Sequence, residues 1–148
     1  MNTAEKPMPI STILVLEGDP VVRDLITLAL GRVRTLSPSS ACEVFATADG
    51  SEALKFLKEK RPALILLDIL LPKINGLDWL KQVKNQGLIK NTPVIVLSSL
   101  GYREVVEQAL LAGAADFVIK PFHADELVRR VEHTLRKQRG LSDINQDS

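Results

Sequence analysis

The chain has 148 residues, 45% of them hydrophobic and 25% charged, with a formal net charge of +1. Such a chain makes one domain with a proper core, which excludes a disordered segment and a polycation drawn to nucleic acid by bulk charge. A single cysteine, Cys42, rules out an internal disulfide; with no signal-peptide core at the start and no run of roughly 18 apolar residues, a soluble cytoplasmic protein without membrane contact is expected.

Residues 1–11 read as an extended or disordered lead-in. Ile13 to Leu16 is the first apolar run of strand length, followed by Glu17 and Gly18. Asp19 and Pro20 then resemble an N-cap with proline at the first helical position. Val22, Leu25, Ile26 and Leu30 recur at helical spacing as the inner face of a first helix. The stretch GRVRTLSPSSACEV, with its serines and proline, predicts a surface loop before a second strand at Val44 to Ala46. Asp49 with Glu52 three residues later resembles a capping box ahead of a helix carrying Ala53, Leu54 and Leu57.

Ala63 to Leu67 is the third strand, and Asp68 ends it. A third helix follows Gly76 and carries Trp79 as a half-buried packing residue. Val94 to Leu97 leads into Ser98 and Ser99, Gly113 stops a fourth helix, and Phe117 to Ile119 leads into Lys120 and Pro121. The last helix runs from about Ala124 towards Arg139, with Leu127, Val131 and Leu135 inward, Gly140 at its end and 140–148 as a polar tail.

Apolar runs without alternation belong to strands buried on both faces, as in a parallel sheet covered by helices. Five of them alternating with helices predict an open doubly wound α/β domain, in which ligands gather beyond the carboxyl ends of the strands. Glu17, Asp68, Ser98 and Lys120 all fall there. A buried, unpaired carboxylate is costly, so Asp68 must emerge at that edge or be held by cations. Together the four suit phosphoryl transfer: Asp68 as nucleophile, Glu17 towards a divalent cation, Ser98 donating to a phosphoryl oxygen and Lys120 neutralising charge. Taken singly, each has a plainer reading, as a turn aspartate, a helix-dipole partner, a strand-end hydroxyl or a snorkelling lysine.

The blocks ILVLEGDPVVR, LILLDILLPKINGL, VIVLSS and DFVIKPF, in this order across 12–139, resemble the signature blocks of the receiver domain of two-component response regulators. The resemblance implies a five-stranded parallel sheet in the order 2-1-3-4-5 with five flanking helices. It implies that Asp68 accepts a phosphoryl group from a sensor histidine kinase or phosphotransfer protein, with magnesium held by Glu17, Asp68 and the backbone carbonyl of Leu70. Ser98 and Lys120 would contact the phosphoryl group, Ser98 and Phe117 would act as switch positions, and a cis peptide would precede Pro121. Such a chain is a stand-alone switch and not an enzyme. It would signal to a downstream protein through the fourth helix, fifth strand and fifth helix, without direct contact to nucleic acid, as a monomer or weak homodimer.

Two departures qualify the pattern. Receivers usually end the first strand with two adjacent acids, whereas Gly18 follows Glu17 here. The missing carboxylate is a direct metal ligand in the family and Asp19 is taken up by capping, so magnesium binding is expected to be weak. The alternative reading is a phosphorylation-independent pseudo-receiver acting as a protein interaction module. Leu70 and Leu100, both apolar, would flank the phosphoryl group, exclude water and slow hydrolysis.

A nucleotide-binding enzyme on the same architecture lacks its glycine-rich loop after the first strand. Arg129, Arg130, Arg136, Lys137 and Arg139 read as a solvated face complementing the helix dipole, and His123 and His133 as surface groups.

Overall fold

The computed structural model describes residues 10–33 and 41–138. Five strands, β1 (Ile10–Leu16), β2 (Ala41–Thr47), β3 (Leu64–Asp68), β4 (Val94–Ser98) and β5 (Asp116–Ile119), alternate with five helices. The helices are α1 (Pro20–Leu30), α2 (Gly50–Glu59), α3 (Gly76–Asn85), α4 (Arg103–Leu111) and α5 (Ala124–Gln138). The strands pair in parallel in the order β2-β1-β3-β4-β5, the doubly wound sheet that the apolar pattern predicts.

Because side chains alternate across a strand, each central strand feeds two cores. Leu14, Leu16, Ile65, Leu67 and Val96 pack with Leu57, Trp79, Leu80 and Val83 beneath α2 and α3. Ile13, Val15, Leu64, Leu66, Ile95 and Leu97 pack with Ile26, Leu30, Leu127, Val131 and Leu135 beneath α1 and α5. Each such side chain contributes about 1.5–3 kcal/mol on burial. That is why β1, β3 and β4 read as unbroken apolar runs.

The edge strands depart from this, since Phe45 on β2 and Ile119 on β5 are exposed, although the Phe45 ring stacks on Phe56 of α2. β2 also starts earlier than the sequence suggests. Ala41 to Glu43, read as loop, pair with Ile10 to Thr12, so the strand begins before Val44 and β1 takes in Ile10 and Ser11 from the extended lead-in. Polar Ser11, Thr12 and Glu43 interrupt the apolar signal there, and the ladder with the neighbouring strand decides the conformation. Residues 1–9, the rest of that loop at 34–40, and 139–148 with Gly140 and the polar tail lie outside the described residues.

The helix starts follow from their caps. Asp19 accepts from the N–H groups of Val21 and Val22, Asp49 from those of Ser51 and Glu52, and Asn75 from those of Leu77 and Asp78. At α2 the predicted reciprocal box is replaced by a relay. Asp49 N–H donates to Thr47 Oγ1 at 3.0 Å, and that hydroxyl donates to Glu52 Oε1 at 2.5 Å. Gly113, at φ +105, follows the C-cap Ala112 and ends α4.

Two packing expectations change. Leu25, predicted to face inward, is 58% exposed: α1 carries more apolar residues than one face can bury, and Ile26, Ala29 and Leu30 take the sheet side. Trp79 is only 2% exposed, and full burial is tolerated because its indole N–H donates to the Gly50 carbonyl at 3.0 Å. His123 and His133 are exposed, as read from the sequence.

Candidate functional site

The carboxyl ends of β1, β3 and β5 bring Glu17, Asp68 and Lys120 together. Lys120 Nζ donates to Asp68 Oδ2 at 2.5 Å and to Glu17 Oε1 at 2.6 Å. Both carboxylates are withdrawn from solvent, with Glu17 1% and Asp68 4% exposed. Such burial is sustainable only with a paired cation and further donors. Those donors are backbone groups: Leu70 N–H to Asp68 Oδ1 at 2.9 Å and Asp19 N–H to Glu17 Oε2 at 3.0 Å. The Lys120–Pro121 peptide is cis.

The charges respond to this setting. Burial pushes the Glu17 carboxyl above its ordinary value of 4.5, against the hydrogen bonds it accepts from Lys120 and Asp19. Burial works against the Lys120 charge too, but hydrogen bonds to Asp68 and Glu17 outweigh it and hold the ammonium above 10.5.

Ser98 is buried at the end of β4, and its Oγ accepts the Leu100 N–H at 3.0 Å, in a turn of its own backbone and not on Asp68. The Lys120 N–H donates to the Ser98 carbonyl at 2.9 Å, which sets β5 beside β4 at the site. Phe117 is half-buried and packs by its ring against the core beneath α2 and α3. The Leu70 side chain is exposed and Leu100 is half-buried. Leu70 O lies 3.4 Å from where a Cβ on Gly18 would stand, and Pro72 Cδ lies 3.3 Å from it.

Two residues not singled out in the sequence matter here. Arg23, one turn into α1, donates to the carbonyls of Glu17 at 2.8 Å and Gly18 at 3.4 Å, fixing the loop that carries Glu17. Gly76 packs so closely under Asp68 that a Cβ there would enter the Asp68 carbonyl. The Asn-Gly pair at 75–76, opening α3 just after the Asp68 loop, is the signal that could have marked it.

Magnesium, which the resemblance implies, takes hard oxygen donors in near-octahedral geometry. Among the described residues no three His, Cys, Asp or Glu side chains come together to hold a metal. Two carboxylates and the Leu70 carbonyl make an incomplete donor set. Each of the four carboxylate oxygens already accepts one hydrogen bond, two of them from the Lys120 ammonium, so a dication there would meet a short donor set and a resident positive charge.

Beside the triad, α1, the β5–α5 loop and the start of α5 enclose a groove of about 590 Å³. Val22, Leu25, Leu28 and Phe122 line it, and it opens onto Ser99 and Lys120. An ion pair between Arg32 and Asp125 joins the turn after α1 to α5 beside it. No helix among the described residues is long and apolar enough to cross a membrane.

The chain is similar to known response regulators in sequence and fold. The chain is 34% identical over 125 residues to the DNA-binding response regulator MtrA of Mycolicibacterium smegmatis, covering 84% of this chain and 50% of that protein. It thus spans about half the length of the curated relatives it matches. A putative response regulator from Chloroflexus aurantiacus superposes with a TM-score of 0.74 at 32% identity, covering 86% of this chain and 98% of that one. The phosphorylated cyanobacterial phytochrome response regulator RcpA superposes with a TM-score of 0.71 at 26% identity, covering 86% and 93%. The family model described as the response regulator receiver domain matches residues 13–132, and the chain belongs to that family.

Proposed function

We propose that this receiver is a phosphorylation switch in which Asp68 takes a phosphoryl group from the phosphohistidine of a sensor histidine kinase or phosphotransfer protein. The observation that carries the reading is the placement of Asp68: a carboxylate at the mouth of a buried parallel strand, within 2.5 Å of a single ammonium. An Asp68 oxygen attacks phosphorus, the nitrogen–phosphorus bond of the donor breaks, and an acyl phosphate forms on Asp68. Lys120 follows the developing charge. Ser98, whose Oγ accepts the Leu100 N–H, donates its hydroxyl proton to a phosphoryl oxygen, and Phe117 repacks behind it. The groove beside Lys120 seats the donor, since it is apolar and continuous with the acceptor edge.

In this reading the domain acts in the cytoplasm as a monomer or weak homodimer. It passes its state to a downstream protein through α4, β5 and α5 without touching nucleic acid itself. Phosphorylation adds charge and acceptor oxygens to one strand end and biases a two-state surface, which is switching and not turnover of a substrate. Magnesium enters only as a weakly held ion that would shield the acids and the phosphoryl oxygens.

One observation favours a second reading. Gly18 removes an acid from the loop where receivers carry two, which suits a pseudo-receiver that binds a partner without being phosphorylated. Intact-protein mass after incubation with acetyl phosphate and magnesium separates the two. A gain of one phosphoryl group in wild type and none in Asp68→Asn supports the switch. No gain in wild type, with no response to beryllofluoride, transfers the function to constitutive binding.

A further inference from the structure

We propose that the acceptor pocket is charge-compensated by its own side chains, Lys120 taking the place of a divalent cation, and that Gly18 is the position at which its metal affinity was lost. The inference rests on the reading of the Asp68 pocket as the phosphoacceptor site.

Three observations converge on it. Lys120 bridges Glu17 and Asp68, and the two remaining carboxylate oxygens each accept a backbone N–H, so an incoming metal would share every one of them with a resident donor. Arg23 places a second positive charge on the carbonyls of Glu17 and Gly18, directly behind the acids. Asp19, the nearest further carboxylate, caps α1 and is exposed, so it does not fill the gap.

The geometry also locates the deficit. A Cβ built on Gly18 comes within 3.4 Å of the Leu70 carbonyl oxygen, the backbone ligand that the resemblance implies, so a side chain there would start beside the donor set. The nearest obstacle is Pro72 Cδ at 3.3 Å, the edge of a side-chain ring that has to give by only a few tenths of an ångström. A carboxylate at this position would add a hard oxygen beside Leu70 and restore the excess negative charge that attracts a small dication. Glycine leaves two acids facing two resident cations, and a dication arriving there makes the pocket net positive.

The test is calorimetric titration of magnesium alone into wild type, Gly18→Asp and Gly18→Asn, with manganese broadening of the amide signals of residues 18, 68 and 70 to place the ion. Gly18→Asp should bind magnesium roughly tenfold or more tightly than wild type, a loss of the size seen when metal-site partners are removed. Gly18→Asn, which adds an oxygen without charge, should fall between them. Equal affinities of wild type and a folded Gly18→Asp overturn the proposal. Should Gly18→Asp not fold, wild type alone decides: saturation below about 1 mM magnesium overturns the proposal, and weaker binding upholds it. Neither measurement involves a phosphodonor, so failure here leaves the Asp68→Asn mass comparison standing, and the reverse.

Discussion

Lys120 Nζ stands 2.5 Å from Asp68 Oδ2, so the cation from the last strand is in direct contact with the carboxylate proposed as acceptor. Since Glu17 shares that ammonium, removing it strands two buried acids at once. Lys120→Met is expected to cost about 3–5 kcal/mol, read from urea unfolding midpoints. Adding Asp68→Asn should recover part of that loss, because one stranded charge disappears. Additive losses would show that the two side chains are not coupled.

The raised value of Lys120 gives this stabilisation a pH window. A base whose folded-state value is raised contributes fully below its unfolded value and loses that contribution as pH rises through the folded one. The difference in Tm between wild type and Lys120→Met should therefore hold steady up to about 10.5 and shrink above it. A gap that widens at alkaline pH contradicts the assignment.

Gly76 is expected to tolerate no side chain. Its Cβ would collide with the backbone of Asp68 and Ile69, which cannot rotate away as a side chain can. Gly76→Ala should destabilise by roughly 3 kcal/mol and reduce labelling by acetyl phosphate, since the strain falls on the acceptor's own carbonyl. Wild-type stability and labelling in this variant would refute the close approach.

Water access sets the lifetime of the phosphorylated form. Leu70 and Leu100 offer no polar group to hold an attacking water, and a slow loss of phosphate over minutes or longer is expected. Replacing both with polar residues, Leu70→Asn with Leu100→Glu, should shorten the lifetime. Loss within seconds, unaffected by the double substitution, argues against water exclusion.

The groove makes a separate demand. Leu25→Ser with Leu28→Ser should slow transfer from a histidine-phosphorylated donor and leave acetyl phosphate labelling unchanged, because the small donor needs no docking face. Equal slowing with both donors would place the defect in the triad instead.

The central sheet was legible because β1, β3 and β4 are covered on both sides, so burial wrote itself into unbroken apolar runs. β2 was foreshortened because an edge strand needs less apolar surface, and its extent is set by pairing with β1. The acids and lysine of the site could be read from where strands end. Leu25 could not be placed, since helical periodicity does not say which of two apolar faces meets the sheet. Gly76 had a signal in the Asn-Gly pair, whereas the service of Arg23 was invisible, because it acts on backbone carbonyls brought near by folding and no spacing rule announces that.

The strand order carries a further consequence, for the time course of folding. Glu17 and Asp68 lie on adjacent strands near the start and middle of the chain, but their shared ammonium is 103 residues from Glu17, beyond two more crossovers. Contacts of such long sequence separation close late. A chain emerging from the ribosome therefore carries its acid pair unneutralised until β5 docks, and the pocket proposed to accept a phosphoryl group is complete only once the sheet is.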